Sequence, residues 1–378
     1  MNKNPGESAA LTAANVRGWR LFIVRFGVSL IAFSTTVYLL LLLVDPYDSG
    51  RLFHYQVLGV MDEDPRTANV SRGRDPAFDS AIIGNSRGQM LDPQLLSRET
   101  GLRFVQLTVP GTGPREQIAV LRWFVRHHRQ IGAIIIVVDP IWCTQDPTPP
   151  LEIPFPFWLY GDETPEYLKN LFRMQALNRT WQRMLLWLGL RERGRADGYW
   201  NYELGRTWAF RPPLPPRFEP AALPAKTPEI PFPGIERLRA DLTDLHSTAT
   251  LILLMPPTFY LSLPASGDPT AGQIAQCKGA LADLAARSHG AFVDFNVDGE
   301  IARDPENFMD PIHYRAPIAR MMIMSVAAAL RSLEVHSAGN LDQAQNSAAP
   351  APPEPTTDQE RRQSGTRDDR PASRPIRD

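Results

Sequence analysis

Apolar and polar positions divide the chain into three stretches of different character. From Phe26 to Val44 there are 19 residues without a charge, ending in the run Leu39 to Leu43, and Leu21 to Val24 add an apolar turn beyond Arg25. That length predicts a membrane-spanning helix over residues 21–44. Arg25 lies near its end, where a long stem carries the guanidinium to the headgroups. Lys3, Arg17, Arg20 and Arg25 precede the span, and Asp45, Asp48 and Arg51 follow it. The positive-inside bias then predicts a cytoplasmic segment 1–20 and export of everything after residue 45. The apolar run leads into Leu-Leu-Val-Asp-Pro without a small-x-small cleavage site, which favours an uncleaved anchor over a signal peptide. At the other end, residues 336–378 hold no aromatic residue and few aliphatic ones, the composition of a disordered tail.

Between these lies a body, 45–335, in which short apolar runs alternate with helical patterns. Strands are predicted at 79–84, 104–109, 133–138, 251–255 and 291–295, and helices at 93–100, 114–128, 273–288 and 316–333. The β-branched run Ala133 to Val138 is the pattern of a strand covered on both faces. The order implies an α/β sandwich with a mostly parallel sheet of about five strands, its site built from loops after the strand C-termini. An insertion at about 140–235 breaks the alternation. Prolines interleave with Phe155, Phe157, Trp158 and Tyr160, a second proline cluster runs over 212–233, and a single helix is predicted at 165–190. Aromatic rings stack on sugars, so a groove is one reading of this segment. A hydrophobic cover for the body is the commoner one.

Composition narrows the field. The 40 Lys plus Arg nearly cancel the 41 Asp plus Glu, which removes the bulk basic field that nucleic acid binding needs. Cys143 and Cys277, the two cysteines, allow at most one bridge, and so far apart in sequence they read as small buried side chains. No His, Cys or carboxylate cluster has metal spacing, and Gly111-Thr-Gly113 lacks any dinucleotide or Walker context. His127-His128 reads as a basic helix end.

The candidate chemistry is nucleophilic. A serine hydroxyl needs a base, and the base needs a third group to fix its tautomer. Ser86 follows the first strand in Gly84-Asn85-Ser86-Arg87, and Asp310 and His313 share the loop before the last helix. Asp-x-x-His spacing lets one turn bring the carboxylate to Nδ1 while Nε2 points to the serine. A turn-forming serine and a capped helix start are the plain alternatives.

With Ile82-Ile-Gly-Asn-Ser-Arg87, Gly111 after the second strand and Asp310-x-x-His313, residues 78–333 resemble the SGNH (GDSL-type) hydrolase superfamily. With the anchor, the layout is most similar to exported members that serve envelope-polymer acylation, such as the alginate O-acetylation and teichoic acid D-alanylation proteins. The resemblance implies a three-layer α/β/α sandwich and a Ser86, His313, Asp310 triad. It also implies an oxyanion hole from the backbone N–H groups of Ser86 and Gly111, no cofactor, and a membrane-bound O-acyltransferase as partner in a bacterial inner membrane. The expected function is a serine acyltransferase or esterase on O-acyl groups of an envelope or extracellular polysaccharide. Its rival is a non-catalytic polysaccharide-binding scaffold on a decayed fold. Asn85 replaces the family's acidic residue, a change expected to matter little. Asp139-Pro140 stands where the family presents an oxyanion Asn, and an ionised Asp139 would repel the oxyanion. Arg87 is expected either to substitute as donor, to bind a carboxylate of an acidic sugar, or to be a plain surface arginine.

Overall fold

The computed structural model describes residues 5–53, 64–146, 153–201, 203–205, 207–212, 230–244, 249–265 and 267–347. In chain order the elements are α1 (Pro5–Val44), α2 (Pro65–Arg72), β1 (Ser80–Ile83), α3 (Pro93–Thr100), β2 (Phe104–Gln106), α4 (Pro114–His127), β3 (Ala133–Val137), α5 (Phe157–Tyr160), α6 (Thr164–Leu171), α7 (Met174–Trp187), α8 (Pro233–Asp244), β4 (Thr250–Met255), α9 (Pro269–Arg287), β5 (Ala291–Asp294), α10 (Glu300–Arg303) and α11 (Ala316–Ser347). Contacts group the chain up to Val335 as one compact unit, and α11 runs on beyond it to Ser347. The tail expected from 336 therefore begins as helix. No proline interrupts that stretch before residue 350. The rest of the expected tail, 348–378, lies outside the described residues, as does most of the second proline cluster.

The five strands form a parallel sheet in the order β2-β1-β3-β4-β5. Alternate strand residues enter two buried clusters. Ala81, Ile83, Ile134, Ile136, Leu251 and Leu253 meet side chains of α4, α8 and α9, whereas Ile82, Ile135, Val137, Ile252 and Leu254 meet those of α3 and α11. Covering on both faces explains the near-continuous apolar strands. The strand order switches sides between β1 and β3, the point at which open parallel sheets commonly form a crevice at the strand C-termini. At that end β1 and β3 run so close that a Cβ on Gly84 would stand 2.7 Å from the Val137 Cβ.

Much of the proline excess has a single local use. In Asp64-Pro65, Asp75-Pro76, Asp92-Pro93, Asp139-Pro140, Asp268-Pro269, Asp304-Pro305 and Asp310-Pro311 the carboxylate accepts the N–H two residues on. Proline presets the first φ and has no N–H to lose, while aspartate satisfies an orphan donor.

Two expectations are corrected here. The single helix over 165–190 is two, α6 and α7, separated at Phe172 and Arg173, where the Arg173 N–H turns back to the Leu171 carbonyl at 2.8 Å. Their inner residues Tyr167, Leu171 and Ala176 are buried in the core, and so are Phe155, Leu159 and Tyr160. The Phe155 and Tyr160 rings are thus part of the protein interior, and the groove reading loses them. Second, Cys143 and Cys277 are joined in a disulfide. Cys143 ends the turn after β3, and α9 packs against that turn while Gln273 donates to the Cys143 carbonyl, so the fold brings together residues 134 apart in sequence.

α1 contains Val16–Val44, 29 residues long and apolar enough to cross a membrane. Its last turns are covered by the body: Leu41 and Val44 are buried, Val37, Tyr38 and Leu42 partly so.

Closing so long a loop predicts that replacing both Cys143 and Cys277 by Ser lowers stability by about 2–4 kcal/mol. Urea denaturation of the solubilised protein should show this as a lower midpoint with the turn after β3 otherwise intact.

Candidate active site

The nucleophile turn grows from the end of β1. Asn85, in extended conformation, caps a short 3-10 turn over Ser86–Gly88, its Oδ1 accepting the Arg87 N–H at 3.0 Å. Gly88 lies against Thr108 and Val137, where a Cβ would meet the Thr108 methyl at 2.8 Å. The turn is thus pressed onto the sheet, and Ser86 remains half-buried between buried neighbours.

The other half comes from the loop before α11. Phe308 and Tyr314 pair across it in an antiparallel bridge, and the Phe259 N–H binds the Pro311 carbonyl at 2.8 Å. Asp310 folds the loop around itself: Oδ1 accepts the N–H groups of Ile312 and His313, each at 2.9 Å, and Oδ2 lies 2.6 Å from His313 Nδ1. His313 Nε2 lies 2.9 Å from Ser86 Oγ. Burial pushes the Asp310 carboxyl up, but the Ile312 N–H, the imidazole and the His313 N–H outweigh it and hold it below the ordinary carboxylate value. An ionised Asp310 fixes the proton on Nδ1 and leaves Nε2 as acceptor for the serine hydroxyl. The structure thus brings together Ser86, His313 and Asp310 across 227 residues of sequence.

The remaining candidates have other geometry. Arg87 is buried, not a surface residue, and one of its terminal nitrogens donates to the carbonyls of Pro256 at 2.7 Å and Pro257 at 2.9 Å. Its guanidinium ties the β1 turn to the loop after β4. Asp139 is buried as well. Its Oδ2 accepts from Asn85 Nδ2 at 2.6 Å and its Oδ1 from the Ile141 N–H at 3.1 Å. Burial raises its carboxyl above the ordinary value, against the opposing charge of Arg87 and the donors from Asn85 and Ile141. Both oxygens are used as acceptors, the pattern of the ionised form. Asp139 thus holds the Ser86 turn, and Asn85, expected to matter little, is the residue through which it does so. Gly111 adopts φ +66°, open to glycine at no steric cost, on an exposed turn after β2.

Two side chains were not singled out from sequence. Tyr314 donates from its hydroxyl to the Arg87 carbonyl and so links the histidine loop to the serine turn. Glu203 accepts from Arg315 Nε at 2.6 Å and from the Ala316 N–H at 2.8 Å, capping α11 just after the histidine. Adjacency to His313 was the available signal for Tyr314; for Glu203, 113 residues from Ala316, there was none. His127 belongs elsewhere, its Nδ1 on the Trp123 carbonyl at 2.8 Å. Among the described residues no cluster of ligands could hold a metal ion.

No protein-family model matches the sequence, and comparison with curated proteins finds no match.

Asp139→Asn should lower stability by about 1–3 kcal/mol, because an amide has one acceptor oxygen for the two donors, Asn85 Nδ2 and the Ile141 N–H, and would set its NH2 against one of them in a buried site. Ester hydrolysis, if measured in parallel, should fall; a rise would mean that the charge of Asp139 acts on the oxyanion. For Asp310, a folded-state value below the unfolded one places its stabilisation above about pH 4, lost as pH falls through the folded value. The stability difference between the parent and Asp310→Asn should therefore narrow on acidification below about pH 4, followed by denaturant midpoints across pH.

Proposed function

We propose that the body is a serine acyltransferase or esterase, held at a membrane by α1 and acting on O-acyl groups of an envelope or extracellular polysaccharide. The observation that carries the chemistry is His313, placed 2.6 Å from Asp310 and 2.9 Å from Ser86 at the crevice between β1 and β3. In this reading Ser86 Oγ attacks the acyl carbonyl as His313 Nε2 takes its proton, and Asp310 stabilises the imidazolium. The tetrahedral oxyanion is received by the backbone N–H groups of Ser86 and Gly111. Collapse expels the alcohol, which takes the proton from His313, and leaves an ester on Ser86. Water or a sugar hydroxyl then accepts the acyl group, the histidine again acting as base. No cofactor enters these steps.

The two buried clusters on either side of the sheet support a three-layer arrangement, and the apolar stretch of α1 with Arg17, Arg20 and Arg25 towards its N-terminal end supports an exported body on the outer side of a bacterial inner membrane. The polysaccharide and a membrane-bound O-acyltransferase partner rest on the resemblance to the SGNH proteins of polymer acylation. A scaffold without catalysis is the second reading, favoured by the absence of an oxyanion side-chain donor from Asp139, which is engaged with Asn85 and Ile141.

Incubation with an activated acetyl ester should add the mass of one acetyl group to the peptide carrying Ser86, and Ser86→Ala should abolish it. His313→Ala should slow hydrolysis by at least about 10³-fold. Labelling that persists in Ser86→Ala identifies another nucleophile, and no labelling of the parent favours the scaffold.

A further inference from the structure

The anchor helix and the α6–α7 pair are aligned, and the alignment fixes a height. α6 packs beside the end of α1: at its middle Tyr167 donates to Asp45 Oδ1 at 2.7 Å, and the Leu168 carbonyl accepts from the Tyr38 hydroxyl at 3.0 Å. The chain turns at Phe172, whose ring centroid is 6.5 Å from that of Tyr38. α7 then climbs back to Arg183, which donates to the Asp45 carbonyl and to Asp48 Oδ1, each at 2.9 Å. The tip of the hairpin therefore lies at the level of Tyr38, about 9 Å back along α1 from Val44.

At this tip two large apolar side chains, Phe172 and Met174, are exposed beside the polar Arg173 and Gln175. Phe172 is 57% exposed and Met174 79%. Arg173 between them is exposed as well; its guanidinium lies 5.5 Å from the Trp158 ring and is bonded to Asn170 Oδ1, and its long stem lets the charge stay at headgroup level while its apolar neighbours go deeper. The buried ionic cluster of Asp45, Asp48, Arg74 and Arg183 lies at the opposite end of the hairpin, and the charges near the tip, Lys169 and Arg173, are both cationic, as suits an anionic headgroup layer.

A hydrocarbon core of about 30 Å takes about 20 helical residues. A span starting at Leu21, directly after Arg20, ends at Leu40; one starting at Phe26, after Arg25, ends beside Asp45. The first register puts the Tyr38 level about 3 Å inside the hydrocarbon edge, the second about 10 Å inside. In both, Phe172 and Met174 meet lipid at the depth where aromatic and apolar interfacial side chains settle.

We propose that the α6–α7 tip, through Phe172 and Met174, is seated in the lipid interface of the membrane that α1 crosses. The body then has two attachments to the bilayer, and the crevice at Ser86 is held at a set height and tilt above it. The inference rests on reading α1 as membrane-spanning.

The test uses the full chain in vesicles of phosphatidylcholine and phosphatidylglycerol. The two native cysteines are disulfide-bonded, so a single introduced cysteine takes an environment-sensitive fluorophore at Met174→Cys, Ile31→Cys or Gln94→Cys. Ile31 is mid-span, and Gln94 is an exposed residue of α3, whose core residue Leu96 packs in the cluster on the sheet face opposite α1. Lipid-borne quenchers at shallow and deep positions report depth. The proposal expects several-fold stronger shallow quenching at 174 than at 94, and deep quenching at 31. A 174 signal equal to that at 94, with 31 deeply quenched, overturns the hairpin seating while leaving the span; it is also the result expected if a protein partner covers the tip. Absence of quenching at 31 overturns the span, and the seating with it.

Discussion

The loops that leave β1 and β3 are tied by one buried hydrogen bond, from Asn85 Nδ2 to Asp139 Oδ2 at 2.6 Å, at the place where the strand order switches sides. A crevice at such a point has no strand pairing beyond it, so its walls need side-chain ties to hold their spacing. Asn85 works in both directions: its amide nitrogen holds Asp139, and its carbonyl oxygen caps the turn that carries Ser86. Arg87 adds a second tie to the carbonyls of Pro256 and Pro257, and Tyr314 a third from the histidine loop to the Arg87 carbonyl. A buried carboxylate is costly unless it is paired and fully bonded, and the donors from Asn85 and Ile141 with the nearby charge of Arg87 meet that condition.

Positioning of the imidazole follows the same economy of local bonds. Asp310 caps its own turn through two N–H groups and orients His313 with the remaining oxygen, so the residue that shapes the loop also sets the tautomer. The same Asp-Pro unit starts α2, α3 and α9. One capping device thus serves helices, the Asp139 turn and the histidine loop alike.

The junction with α1 depends on a buried polar cluster. Asp48 receives Arg183 at 2.9 Å and is bonded to Arg74 and Ser71, while Asp45 accepts from Tyr167 and, through its carbonyl, from Arg183. Asp45 and Asp48 both adopt left-handed backbone, φ 45° and 50°, which short polar side chains tolerate better than bulky ones. Such a cluster adds little net stability over an apolar core of equal shape, but removal of any member strands a buried charge. It fixes the direction in which the chain leaves the helix and therefore how the insertion lies along it.

Periodicity and local chemistry determined the N-terminal helix long and apolar enough to cross a membrane, the five parallel strands, most of the helices, and the three residues that meet at Ser86. Each is a short-range property: an apolar run long enough for a bilayer, β-branched runs covered on both faces, a turn after a strand, an Asp-x-x-His spacing that closes within one loop. The repeated Asp-Pro units also bore on Asp139, whose capping bond to Ile141 is local and could have been read before its contact with Asn85. Only the tertiary structure decided the rest. Whether Cys143 and Cys277 bridge depends on α9 lying against the turn after β3, whether Arg87 faces solvent depends on the loop after β4, and the break between α6 and α7 depends on how both pack beside α1. These are contacts between segments more than a hundred residues apart, and their partners are selected by the packing of the whole core, which no local pattern encodes.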